Sequence, residues 1–111
     1  MSKITYKIEC LPEDVPIRGN AMASGNKSVD KRVEDVIIAQ LEAGSPWAWC
    51  TVRVTAHCGG LVGEDFLGCC NYRDEAEFTR PGSYYDDMKT EAKADLLAKL
   101  ETASSAYSRL I

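Results

Sequence analysis

Twelve residues from Trp47 to Cys58, WAWCTVRVTAHC, alternate strictly between two kinds of side chain. Ala48, Cys50, Val52, Val54, Ala56 and Cys58 are small and apolar, while Trp47, Trp49, Thr51, Arg53, Thr55 and His57 are large or polar. Side chains of a strand point to its two faces in turn, so this period of two predicts a half-buried β-strand. The small side suits a sheet face on which helices pack closely. The other side carries two tryptophans, an arginine and the sole histidine, and is expected to face outward as a candidate contact surface.

The flanking segments complete a domain around this strand. Ile4 to Cys10 also alternates, with Ile4, Tyr6, Ile8 and Cys10 on the core side and Lys3, Thr5, Lys7 and Glu9 toward water. LPEDVPIRGNAMASGNK follows, a loop punctuated by two prolines and two glycines. Ser28 is expected to cap a helix running to about Ala43, with Val29, Val33, Val36, Ile37 and Leu41 as its apolar stripe. Gly59 and Gly60 predict a tight hairpin into a third strand from about Leu61 to Tyr72. In that strand Phe66, Gly68, Cys70 and Tyr72 are expected on the core face, and Asp65, Leu67, Cys69 and Asn71 outside, with glycines that leave room for a bulge. Residues 74–80 read as one short helical turn. Ser83, with Asp86 in a capping-box position, opens the clearest helix, whose face is Tyr85, Met88, Ala92, Leu96, Leu100, Ala103 and Tyr107, with fraying from Ser104 onward.

Two amphipathic helices and a sheet with one apolar face predict an α+β fold. It is a two-layer sandwich of about three antiparallel strands, β-α-β-β-α, with both helices on one face and a single domain over 1–111. The opposite face is expected to display Lys3, Lys7, Trp47, Trp49, Arg53, His57 and Leu67. The apolar runs are far too short for a membrane span, and MSKITYKIEC lacks the apolar stretch of a signal peptide, so a cytoplasmic protein without membrane contact is expected. Five cysteines, an odd number, then read as reduced, small core residues.

No pattern announces a reaction. A zinc site drawn from His57, Cys58, Cys69 and Cys70 lacks a C-x-x-C pair, and neighbours on a strand point apart. His57 with Cys69 would need a third orienting group and an oxyanion hole. Glu64 and Asp65, or Asp86 and Asp87, are adjacent acids and not a pair across a cleft. The glycines of RGNAMASGN and CGGLVG do not have phosphate-loop spacing. No catalytic residue, metal or cofactor is expected, and the chain is read as a non-enzyme.

Charge and aromatics point to binding instead. Net charge is −4: residues 1–63 hold seven acids and seven bases, residues 64–101 ten acids and five bases, and Arg109 adds one positive charge. This balance counts against direct nucleic-acid binding and suits a basic partner or plain solubility. Trp47, Trp49 and Arg53 have three readings. They complete a small core beneath the 12–27 loop, they anchor a protein contact, or with Lys3 and Lys7 they form a base-stacking platform.

EDVPIRGNAMASG, WAWCTVRVTA, FLGCCNY and YYDDMKTEA resemble segments of small proteins encoded by phages and prophages, over Glu13 to Ala92. In size, acidity and genetic context such proteins resemble anti-CRISPR proteins, although no motif carries that comparison. The resemblance implies a host protein or ribonucleoprotein partner, a CRISPR–Cas effector, blocked at a basic nucleic-acid-binding surface in the host cytoplasm. On this reading Trp47, Trp49 and Arg53 anchor the contact, while Glu64, Asp65, Asp74, Glu75, Asp86, Asp87 and Glu91 steer it. The alternative is a nucleic-acid-binding accessory protein using the aromatic sheet face.

Overall fold

A computed structural model describes residues 3–110, without the side chains of Tyr107 and Leu110. The expected place of Tyr107 on the helix stripe therefore lies outside the described residues. The elements are β1 (Thr5–Pro12), α1 (Lys27–Glu42), a 3-10 turn (Pro46–Ala48), β2 (Cys50–Cys58), β3 (Leu61–Cys70), α2 (Glu75–Phe78) and α3 (Tyr84–Leu110). β2 is central and antiparallel to both neighbours, so the expected α+β architecture and three-stranded sheet are present.

The alternation of β2 decides where the core sits. Cys50, Val52, Val54 and Ala56 are buried against Cys70, Phe78, Met88, Ala92 and Leu96, with Ile4, Tyr6, Ile8 and Cys10 at the margin. Burying one Val- or Leu-sized side chain contributes about 1.5–3 kcal/mol, so this face holds the sheet to α3. The small residues have a specific use. Ala56 pairs with Gly63 across the hairpin, and a Cβ at Gly63 would overlap the Ala92 carbonyl and the Leu96 backbone nitrogen. Helix backbone therefore rests directly on strand backbone at this point. The hairpin closes through Gly59 and Gly60 at φ 55° and 83°, the two left-handed residues of a type I′ turn.

Several sequence expectations are corrected. Phe66 pairs with Arg53 and lies on the open face, whereas Leu67 pairs with Val52 and packs against the core. The expected register is thus inverted at 65–67. It recovers at Cys70, opposite Cys50, because an irregularity at Cys69 with φ 55° inserts one extra residue. Asn26, not Ser28, caps α1 by accepting from the Ser28 and Val29 N–H groups at 3.0 and 3.2 Å. Ser83 accepts from Tyr85 N–H at 3.3 Å, but its own N–H goes to the Arg80 carbonyl, so the reciprocal half of a capping box is not made. The residues after Ser104 continue the helix to Leu110.

The two long helices also take different places. α3 lies over β2 and β3, whereas α1 packs against the 46–48 turn at one end of the sheet. Ile37 is the apolar residue that α1 buries fully, while Val29, Val33 and Val36 line a shallow groove with Arg32, Gln40 and Asn71.

Candidate protein-contact surface

The tryptophans do not stand on the open face. Pro46 opens the 3-10 turn that carries Trp47, and this turn breaks the strand alternation just before β2. Trp47 consequently packs with Phe78 at 5.7 Å and Tyr72 at 6.4 Å between ring centroids, extending the α3-side core. Trp49 is 5% exposed and donates its indole N–H to the Val15 carbonyl at 2.7 Å. Neither ring is a projecting anchor. Of the three readings, burial beneath the loop describes Trp49.

Glu13 holds that cover in place. Its carboxylate accepts from the backbone N–H of Cys69 at 2.6 Å and of Val15 at 3.1 Å, and from the Thr51 hydroxyl at 3.0 Å. The two N–H groups, Cys69 first, keep the Glu13 carboxyl below its ordinary pKa range. Further along the loop, the buried Glu34 of α1 receives Arg18 at 3.1 Å and the Gly19 N–H at 2.8 Å, and Arg18 also reaches Asp35 at 2.6 Å. The proline- and glycine-rich loop is therefore tied to both the sheet and α1.

Cross-strand pairing arranges the open face in rows. Glu9, Arg53 and Phe66 form one row, Lys7, Thr55 and Glu64 the next, and Thr5, His57 and Val62 the row beside the hairpin. Arg53 is held by Glu9 in a two-pronged ion pair, with Nε to Oε1 at 3.2 Å and Nη2 to Oε2 at 2.7 Å. This fork holds the Glu9 carboxyl below its usual range. Phe66, 51% exposed beside that ion pair, is the aromatic residue this face presents.

His57 and Cys69 are not brought together. His57 belongs to the hairpin end, while Cys69 adjoins the Cys50–Cys70 pair at the other end, about 20 Å away at strand spacing. The Cys69 thiol is pushed up by desolvation and by the Glu13 carboxylate, the opposite of an activated nucleophile. Burial likewise pushes up Cys50, and takes Cys70 to about 11.

The acidic residues fall into two groups. Glu64 and Asp65 lie on β3, where the Glu64 N–H donates to Asp95 at 2.9 Å and the Asp95 carboxyl is held low by that bond and by Lys99. On either side of the α2–α3 junction, Asp74 and Glu75 stand at the start of α2 and Asp86 and Asp87 in the first turn of α3, and Glu91 is exposed farther along α3. Asp74 caps α2 by accepting the Glu77 N–H at 2.9 Å, and both acidic pairs suit the positive start of a helix. Residues 73–87 hold five acids and two bases, a net charge of −3. Tyr84, 61% exposed, stands at this junction over a groove of about 450 Å³ that Tyr72, Glu77, Arg80 and Asp87 also line.

Sequence reading missed Tyr84, Glu77 and Phe66 as surface features. The helix stripe assigns Tyr85 to the core, which turns its neighbour Tyr84 outward by about 100°, so a signal for that residue was present. Phe66 carried a signal as well: the two-residue Gly59–Gly60 turn pairs Cys58 with Leu61, and the unbroken register from there sets Phe66 opposite Arg53, on the Arg53 face. Among the described residues no helix is long and apolar enough to cross a membrane. Comparison of the chain with protein-family models, curated proteins and solved structures gave no match.

Proposed function

We propose that this protein is a small, non-enzymatic inhibitor of phage type, which binds a host CRISPR–Cas complex and occludes its basic nucleic-acid-binding surface. The observation that supports this reading is the α2–α3 junction, where exposed Tyr84 shares a groove with Glu77 and Asp87 in a segment, residues 73–87, of net charge −3. An exposed aromatic beside a carboxylate cluster combines an apolar anchor with charge complementary to lysine and arginine. Arg53 and the tryptophans drop out of the anchoring set, since Glu9 occupies the first and packing covers the others.

The second reading, a nucleic-acid platform, keeps one observation in its favour. Phe66 is exposed beside Arg53 on the open sheet face. The test titrates the protein into purified CRISPR–Cas effectors and, separately, into single-stranded oligonucleotide at low salt. Inhibition of target binding that weakens with salt, and that is lost in Tyr84→Ala and in Asp86→Lys/Asp87→Lys, supports the inhibitor reading. Oligonucleotide binding that requires Phe66 overturns it in favour of the platform, and no effect on any effector overturns it outright.

A further inference from the structure

Helix α3 outruns the sheet it covers. Among its described side chains the last fully buried one is Leu96, and Lys99 ties the helix to the sheet by donating to the Val62 carbonyl at 2.9 Å. The helix then continues to Leu110, so that residues 97–110 extend about 21 Å beyond the core at 1.5 Å per residue. Every described side chain in this stretch is exposed, including Leu97 at 47% and Leu100 at 48%. The molecule is accordingly elongated, 65 × 24 × 24 Å with a radius of gyration of 18.1 Å, against about 13 Å for a compact domain of this length.

Composition does not match a helix built to stand in water. Residues 84–101 carry eight charged side chains, whereas residues 102–108, TASSAYS, carry none. The Thr102 hydroxyl is turned back onto the Ala98 carbonyl at 3.0 Å. Leu96, Leu100 and Ala103 step by four and then three residues, a period of 3.5 that continues the core stripe past the end of the sheet. Small residues at 103–106 let a second helix approach closely. The accessible surface is 7543 Å², about 1,500 Å² more than the roughly 6,000 Å² expected for a folded monomer of this mass. A stable interface removes about 800 Å² from each partner, which is less than the surplus carried by the whole elongated molecule.

We infer that the projecting half of α3 is a homodimer interface, on which a second copy lays its own residues 97–106 antiparallel about a two-fold axis. The two-layer geometry accounts for the choice of occupant. Beyond the hairpin the helix layer continues while the sheet layer stops, leaving the stripe of Leu100 and Ala103 over empty space. A copy turned by 180° fills that space with its own helix and offers the same vacancy in return, which closes the contact as an isologous pair. This inference is independent of the host-binding reading, whose residues lie at the start of α3.

The test is sedimentation equilibrium of the whole chain across the micromolar range, with Leu97→Glu/Leu100→Glu and Val36→Glu as variants. Wild type is expected at twice the 12.2 kDa chain mass. The α3 double variant is expected at one chain mass with its thermal transition intact, since both leucines lie outside the core cluster. Val36→Glu, in the α1 groove, is expected to remain dimeric. A wild-type monomer throughout that range overturns the inference. So does a dimer that survives the α3 variant or dissociates through Val36→Glu instead.

Discussion

Trp49 donates its indole N–H to the carbonyl oxygen of Val15, 34 residues earlier in the chain, at 2.7 Å. This bond joins the irregular 13–17 segment to the start of the central strand and removes one of the three candidate anchors from solvent. Trp49→Phe keeps an aromatic ring but leaves the Val15 carbonyl without its donor, which is expected to cost about 1 kcal/mol. Trp49→Ala also empties the space beneath the loop and is expected to cost about 3–5 kcal/mol. Urea unfolding of the two variants checks the order. Equal, negligible losses would mean that the loop does not cover the ring.

Glu13 makes the same contact pH-dependent. The Cys69 N–H, followed by that of Val15, lowers its folded pKa below the ordinary 4.5. A lowered folded pKa contributes stability that is complete above the unfolded value and is lost as pH falls through the folded one. Glu9, Asp35 and Asp95 shift in the same direction, so wild type alone does not isolate the effect. The stability gap between wild type and Glu13→Gln does. It is expected to be constant above about pH 5 and to close below pH 4.5 as Glu13 takes up its proton. A gap that persists unchanged to pH 2 would refute this.

The register of β3 gives a third prediction. Leu67→Ala removes a side chain packed on the core and is expected to cost about 2 kcal/mol. Phe66→Ala removes an exposed ring beside Arg53 and is expected to cost less than about 1 kcal/mol. Thermal or chemical denaturation of the pair reads the difference directly, and the opposite order would restore the register expected from sequence.

Much of the fold was legible in the chain because its determinants are local. Alternation from Cys50 to Cys58 set which face of β2 is buried, and Gly59–Gly60 set the hairpin. The spacing of Tyr85, Met88, Ala92 and Leu96 set the buried side of α3. These follow from the period of a strand or a helix and from the φ that a turn demands.

What the tertiary structure decided are contacts between distant residues. Glu13 meets Cys69 across 56 positions, at the irregularity that follows Leu67 and returns Cys70 to the core. One residue shifts a strand by one face, and nothing within residues 61–72 says whether that residue is present. The tryptophans obey the same logic. Their alternation is unbroken in sequence, yet Pro46 starts a turn that gives Trp47 to the α3 side, and the loop from Glu13 to Ile17 closes over Trp49. Local pattern states which residues can share a face, whereas burial depends on what the rest of the chain brings to cover it.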